Sequence, residues 1–525
     1  MTAGIDPRIA EALARLPDFL GGHVSVSITA LALGLLISLP LAFASVQRPR
    51  LRRTVLAIGS VIQTVPGLAL LALFYPLLLG LAALSERLFG VGFSALGFLP
   101  SVLALALYSM LPVLRNTVTG LAEIDPAVKE AALGVGMTPR QTLIMVDLPL
   151  ALPVIMAGIR TASVWVIGMA ALSTPIGQTS LGNYIFAGLQ TQNWIFVLVG
   201  CVAAAVLALI VDQALALLEH GLRTRRRPSI ALGALILVTV VAGALAPSLS
   251  QPGARAVVAA KPFGEQYILA ALIQQRLEAA GFSTTRRDGL GSNIIFDSLA
   301  AGEIDAYVEY SGTLWANQLK RNDVRPPDEV LATVTRWLAD QHGIGVVGKL
   351  GFENAYALAM PRKRAEALGI RSLADLARHA RGLSIGGDYE FFRRPEWQAI
   401  RDAYGLAFRA ERQMQAEFMY PAAAAGELDV VSAYTSDGRV AKFDLVVLDD
   451  PRRVIPPYDA ILLVSPKRRE DRAFVAALQP IAGGIDVALM RTANLRASAG
   501  GGQSSPEAVA QWLWEEMQRQ PAAAR

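Results

Sequence analysis

From about residue 24 to about residue 246 the chain is a succession of long apolar stretches, whereas from Gln251 onward charged residues recur every few positions. A bilayer core takes about 20 apolar residues per helix, and six segments reach that length: 24–46, 54–81, 95–114, 153–176, 194–217 and 230–246. The first half is therefore expected to be an all-α polytopic domain, residues 23–250, with about six transmembrane helices. Beyond it, short apolar runs alternate with stretches at helical spacing. Ala256-Val257-Val258-Ala259-Ala260 precedes a helical pattern over 268–280 that stops at Gly281. Further strand candidates are Gly345-Val346-Val347, Leu383-Ser384-Ile385, Asp429-Val430-Val431 and Leu445-Val446-Val447-Leu448. Such alternation predicts an α/β domain with largely parallel sheets over 251–525. Its length suits two lobes, the first about 255–355 and 461–525, the second about 356–460.

The arginines orient the spans, because Lys and Arg are retained in cytoplasmic loops. Arg48, Arg50, Arg52 and Arg53 follow the first span; Arg115, Lys129 and Arg140 follow the third; Arg223, Arg225, Arg226 and Arg227 follow the fifth. The alternate loops are nearly free of positive charge, so the amino terminus and the α/β domain are expected on the outer face. Much of the net charge of +5 lies in these loops, so it gives no reason to expect nucleic acid as a partner. Residues 1–22 read as an outer-face amphipathic segment and not as a cleaved signal, since Asp6, Arg8, Glu11 and Arg15 interrupt the apolar residues. Within the spans, Arg160 and Asp212 are expected to snorkel to the cytoplasmic interface. Pro40, Pro66, Pro76 and Pro112 predict kinked or broken helices.

The polar loop 116–150 holds Glu130-Ala131-Ala132, then Gly136 after three residues, then Val146-Asp147-Leu148-Pro149. This pattern closely resembles the EAA loop of ABC importer permeases, with Val146 in place of Ile. The resemblance implies a short cytoplasmic helix, with Glu130, Ala131, Ala132, Gly136, Leu148 and Pro149 coupling the membrane domain to a separate ATPase subunit.

In the second half, five segments carry another resemblance: Lys261-Pro262-Phe263-Gly264-Glu265-Gln266, the run from Gly302 to Thr313, Glu353-Asn354-Ala355-Tyr356, the run from Ala433 to Arg439, and Pro456-Pro457-Tyr458. They look like the substrate-binding proteins of OpuC-type ABC importers, which capture glycine betaine, choline, carnitine and related osmoprotectants. Ser173-Thr174-Pro175-Ile176-Gly177 and Ser180-Leu181-Gly182-Asn183-Tyr184 are similar to their permeases, and some members fuse both parts in this order. A permease-type domain joined to a two-lobed α/β domain of the type II periplasmic binding-protein class is thus implied.

A quaternary ammonium group has no N–H to donate, so aromatic faces recognise it. Tyr310, Tyr356, Tyr434 and Tyr458 stand in these motifs as the candidate cage, and Gln266, Thr313 and Asn354 as polar groups for the rest of the ligand. Family members often have an acidic residue and Gly after the Arg of a second-lobe segment, whereas Phe391-Phe392-Arg393-Arg394-Pro395-Glu396-Trp397 diverges by adding bulk, and Phe391 and Trp397 could change the far wall of the pocket. A betaine such as ergothioneine therefore stays open, as does an amino acid, which would call for a carboxylate clamp and an acid.

No Gly-x-x-x-x-Gly-Lys-Ser/Thr run is present, so ATP is expected on the partner and no cofactor on this chain. Cys201 is the single cysteine, and the four histidines lack metal-ligand spacing. No catalytic set can be assembled, which argues against an enzyme. The expectation is a homodimeric subunit embedded in inner-membrane lipid, acting as permease and solute receptor in one chain. A membrane-anchored solute sensor is the rival, and it leaves the EAA loop unexplained.

Overall fold

The computed structural model describes residues 7–46, 48–90, 93–190, 193–249, 255–321, 323–388, 391–499 and 504–519. Residues 1–6 of the expected outer-face segment and the expected boundary at 250/251 lie outside them. The chain divides into two compact units, one built from 9–186 and 195–252, the other chiefly from 253–525.

Six helical segments of the first unit are long and apolar enough to cross a membrane: Ala12–Val46, Gly67–Phe89, Phe98–Ala122, Pro139–Ile176, Trp194–Thr224 and Arg227–Leu245. Two expectations need correction. The outer-face segment is not a separate element, since one helix runs over Pro7–Val46 with Pro17 inside it. Its early turns are tied into the bundle by Leu16, Phe19 and Leu20, which pack against the cluster of Leu181, Tyr184 and Phe196. The second span, conversely, is two helices, Pro49–Thr64 and Gly67–Phe89. Between them Val65 is extended at φ −71° and ψ 127°; a residue before proline is pushed out of the helical region, and Pro66 has no N–H to continue the ladder. Helices Phe98–Ala122 and Leu148–Ala170 approach closely. A Cβ on Gly158 would lie 2.7 Å from Asn116 Cβ, the small-residue contact that lets membrane helices pack.

Arg160 also departs from expectation. Its Nε donates to Asp212 Oδ1 and its Nη2 to Asp212 Oδ2, both at 2.9 Å, while Nη1 donates to Glu219 Oε2 at 3.2 Å. Arg160 and Asp212 therefore pair with each other across two helices instead of snorkelling apart. Where water is scarce, a planar fork answered by two carboxylates is the cheaper solution.

The second unit contains ten strands: β1 Ala256–Ala260, β2 Thr284–Asp288, β3 Ala306–Tyr310, β4 Gly345–Glu353, β5 Tyr356–Pro361, β6 Ser384–Gly387, β7 Ala410–Gln413, β8 Val430–Tyr434, β9 Leu445–Val447 and β10 Asp459–Val464. They form two five-stranded sheets, ordered β2-β1-β3-β10-β4 and β7-β6-β8-β5-β9. The sheets are mixed and not largely parallel: β10 runs antiparallel to β3 and β4, and β5 antiparallel to β8 and β9. The reason is the path of the chain. It leaves the first sheet after β4 and returns only with β10, so each sheet contains a strand that enters from the other lobe. This two-sheet α/β domain has the type II periplasmic binding-protein fold. Helices Gly264–Ala279 and Pro506–Arg519 share a core, in which Leu272, Leu277, Val509, Leu513 and Met517 are buried together.

Candidate functional site

The chemistry-bearing side chains gather where strands end between the two sheets. After β1 the chain turns through Lys261 and Phe263, and Phe263 is the extended residue that opens helix Gly264–Ala279. Glu265 therefore falls in the first turn, where a carboxylate is favoured by the helix dipole. Gln266 faces inward, its Nε2 donating to Val308 O and to Tyr310 Oη, each at 3.0 Å. Tyr310 ends β3, Tyr356 opens β5 directly opposite Tyr434 at the end of β8, and Tyr458 immediately precedes β10.

All four tyrosines come together with two phenylalanines. Ring centroids lie 4.9 Å apart for Tyr356–Tyr434, 5.8 Å for Tyr356–Tyr458, 6.2 Å for Phe263–Tyr310 and 6.3 Å for Phe263–Tyr434. Phe391 meets Tyr356 at 5.6 Å, and Trp397 packs behind Phe391 at 5.3 Å. Phe391 is thus in the wall, whereas Trp397 supports it from behind. Asn354 belongs to the crossover from β4 to β5, its N–H donating to Tyr458 O at 3.0 Å and its Nδ2 to Glu265 Oε1 at 3.0 Å. Its Oδ1 is buried without a hydrogen-bond partner. Thr313 is buried in the short helix Ser311–Thr313, and among the described residues no hydrogen bond joins its hydroxyl to the tyrosines.

Gly312 lets Tyr458 lie against the backbone: a Cβ there would sit 2.6 Å from Tyr458 Cδ2 and Cε2. Gly312→Ala is expected to destabilise the domain by about 1–3 kcal/mol through overpacking. The check is the thermal unfolding midpoint, and an unchanged value would mean that the Tyr458 ring swings aside freely.

Charged groups surround the rings in pairs. Arg394 is buried, its Nε donating to Glu396 Oε2 at 3.0 Å, its Nη2 to Glu396 Oε1 at 2.9 Å and to Tyr458 Oη at 3.0 Å. Its guanidinium also lies 4.8 Å from the Tyr356 ring centre. Burial works against that charge, yet Tyr356, Tyr458 and Glu396 more than offset it and hold Arg394 above its ordinary pKa. Lys261 and Glu309 form a second buried ion pair. Tyr434 Oη donates to Asp388 Oδ2 at 3.1 Å. Burial pushes the Glu265 carboxyl up, opposed by bonds from Ser436, Tyr310 and Asn494. Asp437, near the same cluster, is occupied by Arg439 at 2.7 Å.

Arg394, Glu396, Phe263, Asp388, Glu265 and Ser436 were not picked out as site residues by sequence reasoning. Glu265 and Phe263 stood inside a quoted motif, and Arg394 and Glu396 inside the divergent segment. Among the described residues no group of His, Cys, Asp and Glu could hold a metal ion.

In the membrane unit, Glu130, Ala131 and Ala132 lie on helix Pro126–Gly134, capped by Asp125, whose side chain accepts from Ala127 N. Glu130 and Ala131 face outward and Ala132 is buried. Gly136 ends the element at φ +82°, a left-handed position that glycine adopts without strain. Leu148 and Pro149 open helix Leu148–Ala170, so they sit at the start of the next span and not in the loop. Leu133 and Val135 are 61% and 75% exposed and Val128 38%, so apolar side chains lie open on the connecting chain.

Comparison with known proteins agrees with both halves. Residues 33–224 match the family described as the inner membrane component of binding-protein-dependent transport systems, and residues 254–515 the substrate-binding domain of ABC-type glycine betaine transport systems. An ergothioneine transport permease/ergothioneine binding protein of Helicobacter pylori is 30% identical over 429 residues, covering 79% of this chain and 74% of that protein. A choline transport system permease protein of Bacillus subtilis is 39% identical over 200 residues, covering 38% of this chain and 85% of its own length. A solved glycine betaine/carnitine/choline ABC transporter structure is 24% identical with a TM-score of 0.45, covering 50% of this chain and 98% of that one. The chain belongs to the ABC importers in which an inner-membrane permease and an OpuC-type substrate-binding domain are fused in one polypeptide.

Proposed function

We propose that this chain imports quaternary ammonium solutes, with the α/β domain as receptor and the helical unit as the path. The observation that carries the reading is the aromatic set: Tyr356 lies within 6 Å of Tyr434, Tyr458 and Phe391, with Arg394 beside it. Each aromatic face is worth about 0.5–2 kcal/mol to a desolvated cation, so four of them contribute about 2–8 kcal/mol, the upper end of which matches micromolar binding. Gln266 and Asn354 order the cage, and the buried Oδ1 of Asn354 is able to accept from a ligand hydroxyl. Thr313 supports the Tyr310–Gly312 turn.

ATP is hydrolysed by a separate subunit that docks on Glu130, Ala131, Ala132 and Gly136, with Leu133 and Val135 supplying apolar contact; Leu148 and Pro149 pass its movement into the next span. The arginine-bearing loops support a reading in which that face is cytoplasmic and the α/β domain lies outside. Two copies, surrounded by lipid, complete the pathway. This chain itself carries no cofactor.

The test is calorimetric titration of the full chain in nanodiscs with glycine betaine, choline, carnitine, ergothioneine and alanine. Saturable binding of a quaternary amine, without binding of alanine, is the expected result. Binding of alanine alone, or of none of the five, would sink the reading.

A further inference from the structure

Glu265 has no place in the aromatic set, is 5% exposed, and yet collects four hydrogen bonds. Its Oε1 accepts from Tyr310 Oη at 2.6 Å and Asn354 Nδ2 at 3.0 Å; its Oε2 accepts from Ser436 Oγ at 2.6 Å and Asn494 Nδ2 at 2.9 Å. An ionised carboxylate offers about four lone-pair positions, so the donors use all of them. Those donors come from four different places. Tyr310 ends β3 of the first sheet, Asn354 is in the crossover between sheets, Ser436 follows β8 of the second sheet, and Asn494 belongs to the carboxy-terminal helix Val487–Ala499. The same helix grips the second lobe twice more: Asn494 Nδ2 donates to Ser436 O at 2.8 Å and Arg491 Nε to Thr435 O at 2.8 Å.

A buried carboxylate is costly unless its hydrogen bonds are complete. Parting the lobes carries Ser436 away and leaves the set incomplete, so the closed arrangement is the one in which this charge is fully met. Tyr310, a member of the aromatic set, hangs on the same oxygen as Asn354. We propose that Glu265 is the positioning residue that couples the cage to lobe closure, fixing the Tyr310 ring on one side and drawing the second lobe in through Ser436 on the other. This rests on the quaternary ammonium reading of the site.

Such a role makes a kinetic prediction that a merely structural one does not. Glu265→Gln keeps the shape but turns an N–H₂ towards two donors, and Ser436→Ala removes only the second-lobe partner. With the full chain in nanodiscs and choline, glycine betaine and ergothioneine as probes, stopped-flow tryptophan fluorescence is expected to show dissociation about tenfold faster for Glu265→Gln and about threefold faster for Ser436→Ala, with association little changed, since most affinity changes reside in dissociation. Spin labels at exposed Ala332 and Ala374, in a Cys201→Ser background, report the distance between lobes. Probe addition should shorten that distance in the parent and less so in both variants. Variants that lower the unfolding midpoint but leave dissociation and the ligand-induced shortening unchanged would overturn the proposal. If Glu265→Gln does not accumulate, Ser436→Ala decides by the same readings. Failure of every probe to bind the parent would overturn the substrate reading and the coupling with it, whereas binding in the parent with unaltered variants overturns the coupling alone.

Discussion

Arg160→Ala is expected to destabilise the membrane unit by about 1–3 kcal/mol, since it removes one partner from a half-buried ion pair whose side chains are 30% and 20% exposed. The guanidinium in helix Leu148–Ala170 answers Asp212 through two bonds of 2.9 Å and Glu219 through one of 3.2 Å, both carboxylates lying on helix Trp194–Thr224. Without it, two negative charges remain on one apolar helix. Glu219, five residues before Thr224, can reach the interface, but Asp212 lies one more stretch inward. The measurement is the unfolding midpoint in detergent together with the amount of chain in the membrane fraction. Arg160→Gln combined with Asp212→Asn should be more stable than Arg160→Gln alone, because deleting both members removes the buried charge itself. A single Arg160→Ala variant as stable as the parent would mean that water reaches these carboxylates and that the three groups do not hold the helices together.

The legibility of this chain follows the range of the forces involved. Apolar length and the strand-helix alternation are local, so the six membrane-crossing segments and the strands β1, β4, β6, β8 and β9 could be read directly from sequence. The break at Val65-Pro66 was legible in the proline, although the continuous apolar composition around it still reads as one span. Sheet direction was not legible, because it depends on where β10 re-enters after an excursion of more than a hundred residues. At the site, the tyrosines stood out because each lies in a short contiguous motif that carries the family resemblance. Glu265 and Arg394 did not, because their significance lies in partners 171 and 64 positions away, Ser436 and Tyr458. Arg160 and Asp212, 52 positions apart, fell into the same blind spot: each alone suggested snorkelling, and only the packing of two helices made them a pair.

Tyr356→Ala is expected to weaken capture of a quaternary ammonium solute by about a hundredfold or more, the largest effect at the site. Tyr356 is 6% exposed and its ring touches Tyr434, Tyr458 and Phe391, with the Arg394 guanidinium over its face. Truncation therefore removes one cation–π face, about 0.5–2 kcal/mol, and also the surface against which three other rings are set, so that their faces are displaced as well; the ligand-free domain should lose about 3–5 kcal/mol of stability at the same time. Each 1.4 kcal/mol is about tenfold in affinity. Tyr356→Phe keeps the ring and gives up the hydroxyl with its long contact to Tyr434 Oη at 3.4 Å, so it should bind far closer to the parent than Tyr356→Ala. Titration of both variants alongside ligand-free unfolding midpoints separates lost recognition from lost folding. The decisive comparison is choline against its neutral carbon isostere, 3,3-dimethylbutan-1-ol. A cage that works through ring quadrupoles should prefer choline in the parent and in Tyr356→Phe and lose much of that preference in Tyr356→Ala. Equal binding of the charged and neutral forms would mean that the rings supply shape alone and the charge goes unrecognised, whereas a preference for choline that survives undiminished in Tyr356→Ala would assign the charge to carboxylates such as Asp388 beside Tyr434.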